Sequence, residues 1–497
     1  MSAAASAASA EHEFFVQEDL SGGWNNVDAP TQLAANESPD LINKTLDERG
    51  GAVDRLGLES LATISGVGQH LFYWQTETLL IYQVGDNVYK TTDWSSSTLI
   101  KSFTTSDAAD FADFLGKLVI VHPVDGVWTY TTAGGLVHLA GGTNRMDQVK
   151  GNTVAAWQNA LFVGGDPRAD YRTYVWRSAV ADPHSWDTSA TGNWIAVRTK
   201  DDAPITNLGV AEGQDVQGRP GLVVCKDESS YRINDPATLD YTVLHQKAGA
   251  SGRMAMVNLH GYTCFLNKHG IWRTDGVNEP ELVSKKIQRL FREEQIAFDQ
   301  LAKCSAGVKD DRIVFSIPRK TDSTPSPTVN NFTIEYHPLD GWLVPHNFGI
   351  AAYATFGADS SKLHGLSPSA AKAYEVFSGG TDDGAAIATR FQTKWYEPKP
   401  GQKCRFRRAR GRGRGSFDVY SLRDFNETLG TADASLALAV SGEAEGESDV
   451  WSLGVGRFFA LEVRNSSSAA ATLPKLLGDG VGAESGASAF YGFVLDF

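Results

Sequence analysis

At 497 residues the chain is long enough for two or three domains with sizeable cores. Its formal net charge of −14 argues against a protein that wraps nucleic acid and suits a soluble subunit, or a conduit that DNA passes without sticking. No apolar run approaches the roughly 18 residues that a membrane helix needs. The 51 aromatic and 49 glycine residues are spread along the chain, a balance that many short strands joined by Gly-containing turns produce.

The first ten residues, MSAAASAASA, lack the basic start and apolar core of a secretory signal, so residues 1–13 read as a disordered tail. The stretch from Leu20 to Leu58 is densely punctuated. Gly22-Gly23 opens it, Asn25-Asn26 signals a turn, and Ala29-Pro30 is an extended step. Ser38-Pro39-Asp40 predicts a short helix, with Ser38 as N-cap and Pro39 at the first helical position. Asp47-Glu48-Arg49-Gly50-Gly51 predicts a tight turn between two extended arms.

Beyond Leu58 a unit recurs. Leu79-Leu80-Ile81-Tyr82 is followed by Gly85-Asp86 and Val88-Tyr89. Leu118-Val119-Ile120-Val121 is followed by Asp125-Gly126 and Val127-Trp128. Thr263-Cys264-Phe265-Leu266 is followed by His269-Gly270 and Ile271-Trp272. Each is an apolar run, a tight turn and a strand carrying an aromatic, which is the pattern of a hairpin buried on both faces of its first strand. Weaker copies start at Leu161, Leu222, Ile313 and Leu363. From Leu80 the anchors are 38, 43, 61, 42, 49 and 50 residues apart, the period of propeller blades. The fold expected is therefore all-β, a β-propeller of six to eight blades. The competing reading is a pair of β-sandwiches with chance periodicity. The longest spacing is assigned to a loop at Gly213–Pro220, and the opening strands of the units (Leu80, Leu118, Leu222, Cys264) are expected nearest the axis.

Ile287, Leu290 and Phe291 hold helical spacing after Ser284, which predicts one helix, packed on a blade edge or reaching a neighbouring subunit. Composition breaks at Gly379–Gly384, and strand-like segments return at 389–396, 417–420, 458–463 and 490–497. The chain thus divides into residues 14–60, a propeller over 61–384, and a C-terminal β-domain over 385–497 on which the N-terminal segment packs.

Four cysteines, Cys225, Cys264, Cys304 and Cys404, form no close pair. They read as free thiols, buried at Cys225 and Cys264, in a protein assembled in a reducing cytosol. No metal, nucleotide or nucleophile-elbow motif is present, so no catalytic residue, cofactor or metal is expected. His269 and His364 fall at turns and read as surface imidazoles. Asp125, Asp227 and Asp275 fall near equivalent turns, where a glycosidase propeller would need converging carboxylates; as turn residues they need no such role.

One segment is strongly charged. Lys399 to Arg414 carries Lys399, Lys403, Arg405, Arg407, Arg408, Arg410, Arg412 and Arg414 with no acid. Arg405 and Arg407 alternate with Phe406, as on a strand with one wet face. Glu443, Glu445, Glu447 and Asp449 offer an acidic counterpart. Arginines that line a channel would hold phosphates; arginines that face the acidic run of an adjacent subunit would define an assembly interface through bidentate carboxylate pairs. The second reading is preferred.

The order Gly-Gly-aromatic-Asn, proline, Ser38-Pro39-Asp40, Leu46-Asp47-Glu48-Arg49-Gly50-Gly51 and Asp54-Arg55-Leu56-Gly57 resembles the opening of tail proteins of tailed bacteriophages, above all the β-propeller nozzle or tail-tube hub of short-tailed phages. The resemblance is specific over about forty residues and contains no catalytic motif. It implies a non-enzymatic virion protein of the distal tail, assembled in the host cytoplasm as a homo-hexameric ring. Such a ring binds a head–tail adaptor and tail fibres or spikes, and retains and releases DNA without reading its sequence. A carbohydrate-binding or glycoside-hydrolysing propeller, and a hub or tip protein of a long-tailed phage, are the alternatives.

Overall fold

A computed structural model describes residues 14–17, 19–47, 50–140, 145–189, 192–198, 201–214, 219–356, 362–426, 434–438, 446–465 and 489–496. The expected tail at 1–13 lies outside them. Contacts divide the chain into one unit of residues 58–378 and another of residues 1–57 with 379–497. Both boundaries fall a few residues earlier than the sequence divides it. Leu58–Thr63 pairs with Lys372–Val376 and so belongs to the repeats, whereas Asp382 is held by Arg55 in the other unit at 2.8 Å.

Among the described residues, unit 58–378 contains seven successive antiparallel sheets, and in the first six the strand order is the chain order. Their opening strands are Gly68–Trp74, Asp110–Phe114, Thr153–Trp157, Ile205–Gln214, Met256–Leu259 and Ser305–Lys309. The seventh opens with Ala352–Phe356 and is completed by Leu58–Thr63, from the other end of the unit. Each opening strand neighbours the next, and Ala352–Phe356 returns to Gly68–Trp74. The ring therefore closes, and the unit is a β-propeller. Its core is the set of apolar layers between blades: Leu71, Leu80 and Tyr82 meet Ala352 and Leu366 between the seventh blade and the first. Leu118 and Ile120 meet Ile81 and Trp74 between the first and second.

All seven apolar anchors lie on second strands (Leu79–Val84, Lys117–His122, Ala160–Gly164, Pro220–Lys226, Tyr262–Asn267, Arg312–Ile317, Lys362–Leu366). Leu80, Leu118, Leu222 and Cys264 are buried as expected, but each lies one strand out from the axis. A second strand is covered on both faces by neighbouring blades and so reads as an unbroken apolar run. The axial strand has one open side, and Met256–Leu259 is only half-buried. The longest spacing is also relocated. The extra chain lies in the third blade, between strands Ala160–Gly164, Tyr174–Arg177 and Trp194–Ala196, rather than in the hairpin at Gly213–Pro220.

The helix expected after Ser284 is two 3₁₀ turns, Lys285–Ile287 and Phe298–Lys303. Ser284 Oγ accepts the N–H of Ile271 at 3.0 Å instead of capping. Ala297 N–H donates to Pro318 O and Lys320 N–H to Gln295 O, which draws the chain onto the sixth blade and away from helical pairing.

In the other unit the two chain ends share one antiparallel sheet. Leu41–Ile42 pairs with Arg390–Gln392, and Ala52–Asp54 and Phe14–Gln17 pair with Ala489–Asp496. Around the turn expected at Asp47–Gly51, Lys44–Leu46 and Ala52–Asp54 pair as hairpin arms, Asp47 N–H donates to Gly51 O at 3.0 Å and Gly50 has φ 78°, while Glu48 and Arg49 lie outside the described residues. The helix expected at Ser38 does not form. Glu37–Ser38 pairs in parallel with Gly23–Trp24, and Ser38 Oγ bonds Asp40 O at 2.7 Å and Gln392 O at 2.8 Å. A partner distant in sequence replaces the local cap. At the centre runs a single 20-residue strand, Cys404–Arg423. Gly446–Gly456 and Ala489–Asp496 flank its first half, and Ala434–Leu438 and Phe459–Asn465 flank its second.

Candidate functional site

The arginine run lies on that central strand. Arg405 and Arg407 are exposed and Phe406 between them is buried, as the alternation predicts. The register against Gly446–Gly456 shifts between Phe406 and Arg408, and the extra residue of this bulge is on the neighbouring strand, where Ser452 and Leu453 lie opposite Arg407. Beyond the bulge Ala409, Phe417 and Val419 are buried, so by alternation Arg408, Arg410, Arg412 and Arg414 occupy positions on the opposite face from them. Arg410 is opposite Asp449 and Arg412 opposite Glu447 in the same chain; Arg408 is opposite Trp451 on one side and Asp496 on the other, and Arg414 is opposite Ala489. Two of the four acids assigned to a neighbouring subunit thus have arginine positions beside them within one chain. Glu443 and Glu445 lie outside the described residues.

A second arrangement, which the sequence did not suggest, crosses the propeller axis. Arg253 precedes the opening strand of the fifth blade. Its guanidinium donates to the carbonyls of Ala109, ahead of the second blade's strand, and Gln69, on the first blade, the latter at 3.1 Å. Those blades are not neighbours of the fifth, so the side chain spans the middle of the ring. Beside it His70 Nδ1 bonds Ala109 O at 2.9 Å, and His70 Nε2 lies 3.7 Å from Asp110 Oδ1. Asp110 also accepts the N–H of Val154 at 2.8 Å. Burial, reinforced by the charge of Arg253, holds the His70 imidazole well below its ordinary value. Burial pushes the Asp110 carboxyl up to about 6, against the pull of Arg253, and pushes Arg253 down to about 10. Next to the cluster is a cavity of about 360 Å³ lined by Gly68, Gln69, Arg253, Lys303, Asn330 and Ala351 among others.

Polar residues that end the second strands fasten the blades. Gln83, His122, Lys226 and Asn267 are fully buried. Gln83 and His122 hold Asp107 O at 2.9 and 3.0 Å, Lys226 holds Asp201 O at 2.8 Å, and Asn267 holds Lys247 O at 3.0 Å. Each of these carbonyls belongs to a connection between blades. The signal was in the sequence: in these four blades the apolar run is interrupted by a polar residue at or next to its end.

The turn carboxylates are engaged locally. Asp125 accepts from Thr104, Asp227 from Ser251, and Asp275 from the N–H groups of Val277 and Asn278. Asp125 and Asp227 follow second strands and Asp275 follows a third strand, so Asp275 lies at the other end of its blade and the three do not converge. His364 is corrected from surface to core: it is buried on a second strand, accepts from Trp94 Nε1 at 3.1 Å and stacks on Phe356. Burial lowers it to about 4. His269 does lie at a turn, near Glu228. Cys225, Cys264 and Cys304 are free and buried, Cys404 is free and half-buried, and burial raises the first two thiols to about 12. Among the described residues no group of side chains has the composition of a metal site.

No protein-family model matches the chain, and no curated protein matches it. Solved structures that resemble it include the computationally designed Ika8 protein (12% identity, 64% of this chain and all of that one, TM-score 0.37). A chain of the mitotic checkpoint complex is 11% identical over 69% of this chain and 97% of that one, with a TM-score of 0.41. PorZ, a surface component of the type-IX secretion system of Porphyromonas gingivalis, is 10% identical over 71% of this chain and 44% of that one, with a TM-score of 0.38.

Proposed function

We propose that the chain is a structural protein of a bacteriophage virion, forming the distal tail nozzle as a ring of copies through which the genome is retained and released. The observation that carries this reading is the place of the opening stretch. The forty residues that resemble tail proteins are strand-paired with the segment that follows the propeller, at Leu41–Ile42 with Arg390–Gln392 and at Ala52–Asp54 with Ala489–Asp496. The propeller is inserted between them. A platform made of both chain ends and carrying an inserted propeller is an arrangement suited to assembly. The turn carboxylates, each already held by hydrogen bonds within the protein, suit a protein without hydrolytic chemistry. Because Arg253 spans the propeller axis, the DNA conduit in this reading is the space enclosed by the ring of chains. The exposed arginines Arg405 and Arg407, with the neighbouring Arg408, Arg410, Arg412 and Arg414, form the assembly face, and a head–tail adaptor and fibres or spikes are its further partners. Negative-stain images of virions carrying a labelled copy of this chain test the proposal. Label at the distal end of the tail, in a six-fold ring, is the expected result. A chain absent from virions that stays monomeric and binds glycans would overturn it in favour of a carbohydrate-binding propeller.

A further inference from the structure

Phe425 is the least expected residue of the second unit. It follows the central strand in a tight turn, Arg423–Asn426, closed by Asn426 N–H donating to Arg423 O at 2.9 Å. Both central residues are left-handed, Asp424 at φ 51° and Phe425 at φ 60°. Glycine or asparagine takes such positions readily, whereas a bulky side chain there is strained. The conformation is imposed from below. Asp424 Oδ1 accepts the N–H groups of Arg457 at 2.7 Å and Phe458 at 3.0 Å, and Asp424 N–H donates to Phe458 O at 3.0 Å. The Phe425 ring lies 4.8 Å from that of buried Trp395 and 4.6 Å from that of Phe458. One face is thus supported by aromatics, yet the residue remains 47% exposed. A strained backbone that holds a large apolar ring in solvent works against folding, which points to a role outside the fold.

The rim of this ring is basic. Lys403, Arg405, Arg423 and Arg457 are all exposed. The Arg457 guanidinium lies over Phe458 at 4.9 Å, anchored to Glu397 at 2.6 Å. The Arg423 guanidinium packs on Gly454 so closely that a Cβ there would collide with it. Val455 follows, 55% exposed, and is opposite Arg405 in register. Two nearby carboxylates are both occupied, Glu397 by the Arg457 guanidinium and Asp424 by the N–H groups of Arg457 and Phe458. An apolar anchor ringed by arginines is the composition of an energetic centre of a protein interface.

We propose that the Phe425 turn is the anchor of the contact between copies of this chain, seating against an acidic face of the next copy. The inference rests on the ring reading above and names residues that reading does not. Charge selects the occupant. Residues 399–414 carry eight basic side chains and no acid, so the remainder of a chain whose net charge is −14 carries −22. The rest of a second copy is therefore acidic on balance, and opposite charges across the contact fix the register.

Sedimentation velocity on the full chain, with binding to a fluorescent DNA duplex measured in parallel, tests it. Phe425→Asn suits the left-handed turn, so the melting temperature should hold or rise while self-association weakens at least about tenfold. Val455→Ser, on the surface beside the turn, should weaken association in the same direction and also leave the melt unchanged. Equal association of wild type and both variants overturns the proposal and leaves the ring reading standing. A wild-type chain that is monomeric at every concentration overturns both. Variants that assemble normally but lose salt-dependent DNA binding also overturn it, because the turn is then a nucleic-acid contact.

Discussion

In the propeller unit, a sheet is made of strands that follow one another in sequence, and one strand, Leu58–Thr63, arrives from the far end to complete the seventh. In the unit made of the chain ends, Ser38 reaches Gln392, and Asn43 reaches Ala388 at 2.8 Å. Both units are mainly antiparallel sheet, but the first is a sum of neighbouring repeats and the second is built from contacts between segments that the propeller separates in sequence. Local repeats close their loops at small entropic cost, whereas long-range pairing must bring distant ends together first. The comparison predicts that the propeller folds by itself and that the end-built unit depends on it to bring its halves within reach.

The largest expected effect concerns closure of the ring. A fragment of residues 58–378 should unfold in one cooperative urea transition. A fragment of residues 64–378 lacks the strand opposite Lys372–Val376 and leaves the seventh blade with three strands and its apolar layer open to water. It should be largely unfolded, or should open at far lower denaturant. Equal midpoints for the two fragments would show that the repeats need no closing strand, and the contrast between the units would narrow.

An intermediate effect separates the units from the other side. The single proton of Ser38 Oγ is shared between the carbonyls of Asp40 and Gln392 in a fully buried site. Ser38→Ala leaves both acceptors short of a donor, which costs about 1–3 kcal/mol. The loss should appear in the end-built unit alone, as faster amide exchange over residues 20–46, with exchange in the blade strands unchanged. Equal loosening of the blades would mean that the two units melt as one.

What could be read from the sequence follows the same division. Leu80, Leu118, Leu161, Leu222, Cys264, Ile313 and Leu363 all fell on equivalent strands, because a strand buried on both faces writes an apolar run that no neighbour can disguise. The axial strands were missed since one open side dilutes their pattern, as in Asp110–Phe114. Ser38 read as a helix cap because a cap is a local signal and its true partner is hundreds of residues away. His364 read as a turn residue because nothing nearby announces that Trp94 and Phe356 surround it. The face of the arginine strand was legible up to Arg407; the shift that follows comes from an extra residue in the neighbouring strand Gly446–Gly456, which the arginine run itself does not announce. Phe425 was not legible, since Asp424-Phe425 lacks the glycine or asparagine by which such turns are recognised. Arg253 had no pattern at all: its role comes from ring closure, which only the assembled repeats define.

The smallest effect tests whether that axial cluster is part of the propeller's stability. Asp110 has its folded pKa raised to about 6, chiefly by burial. A raised acid contributes stability that is fully present below its unfolded value and is lost as pH rises through the folded one. His70 is depressed by burial and by Arg253, so the unfolded chain binds its proton first, and stability falls as pH drops below the ordinary histidine value. Between about pH 4 and 6.5 the two slopes oppose each other. In the intact protein they partly cancel, and each substitution should uncover the other. Asp110→Asn leaves the histidine term, so relative to wild type the variant should lose stability more steeply on acidification. His70→Gln leaves the carboxyl term, so that variant should gain relative stability as pH falls from 6 to 4. The difference between the two variants across this window is expected to be on the order of 1 kcal/mol, read from urea midpoints at each pH. Variants that tilt in the same direction would mean that Arg253, rather than the protons on His70 and Asp110, sets the charge balance at the axis.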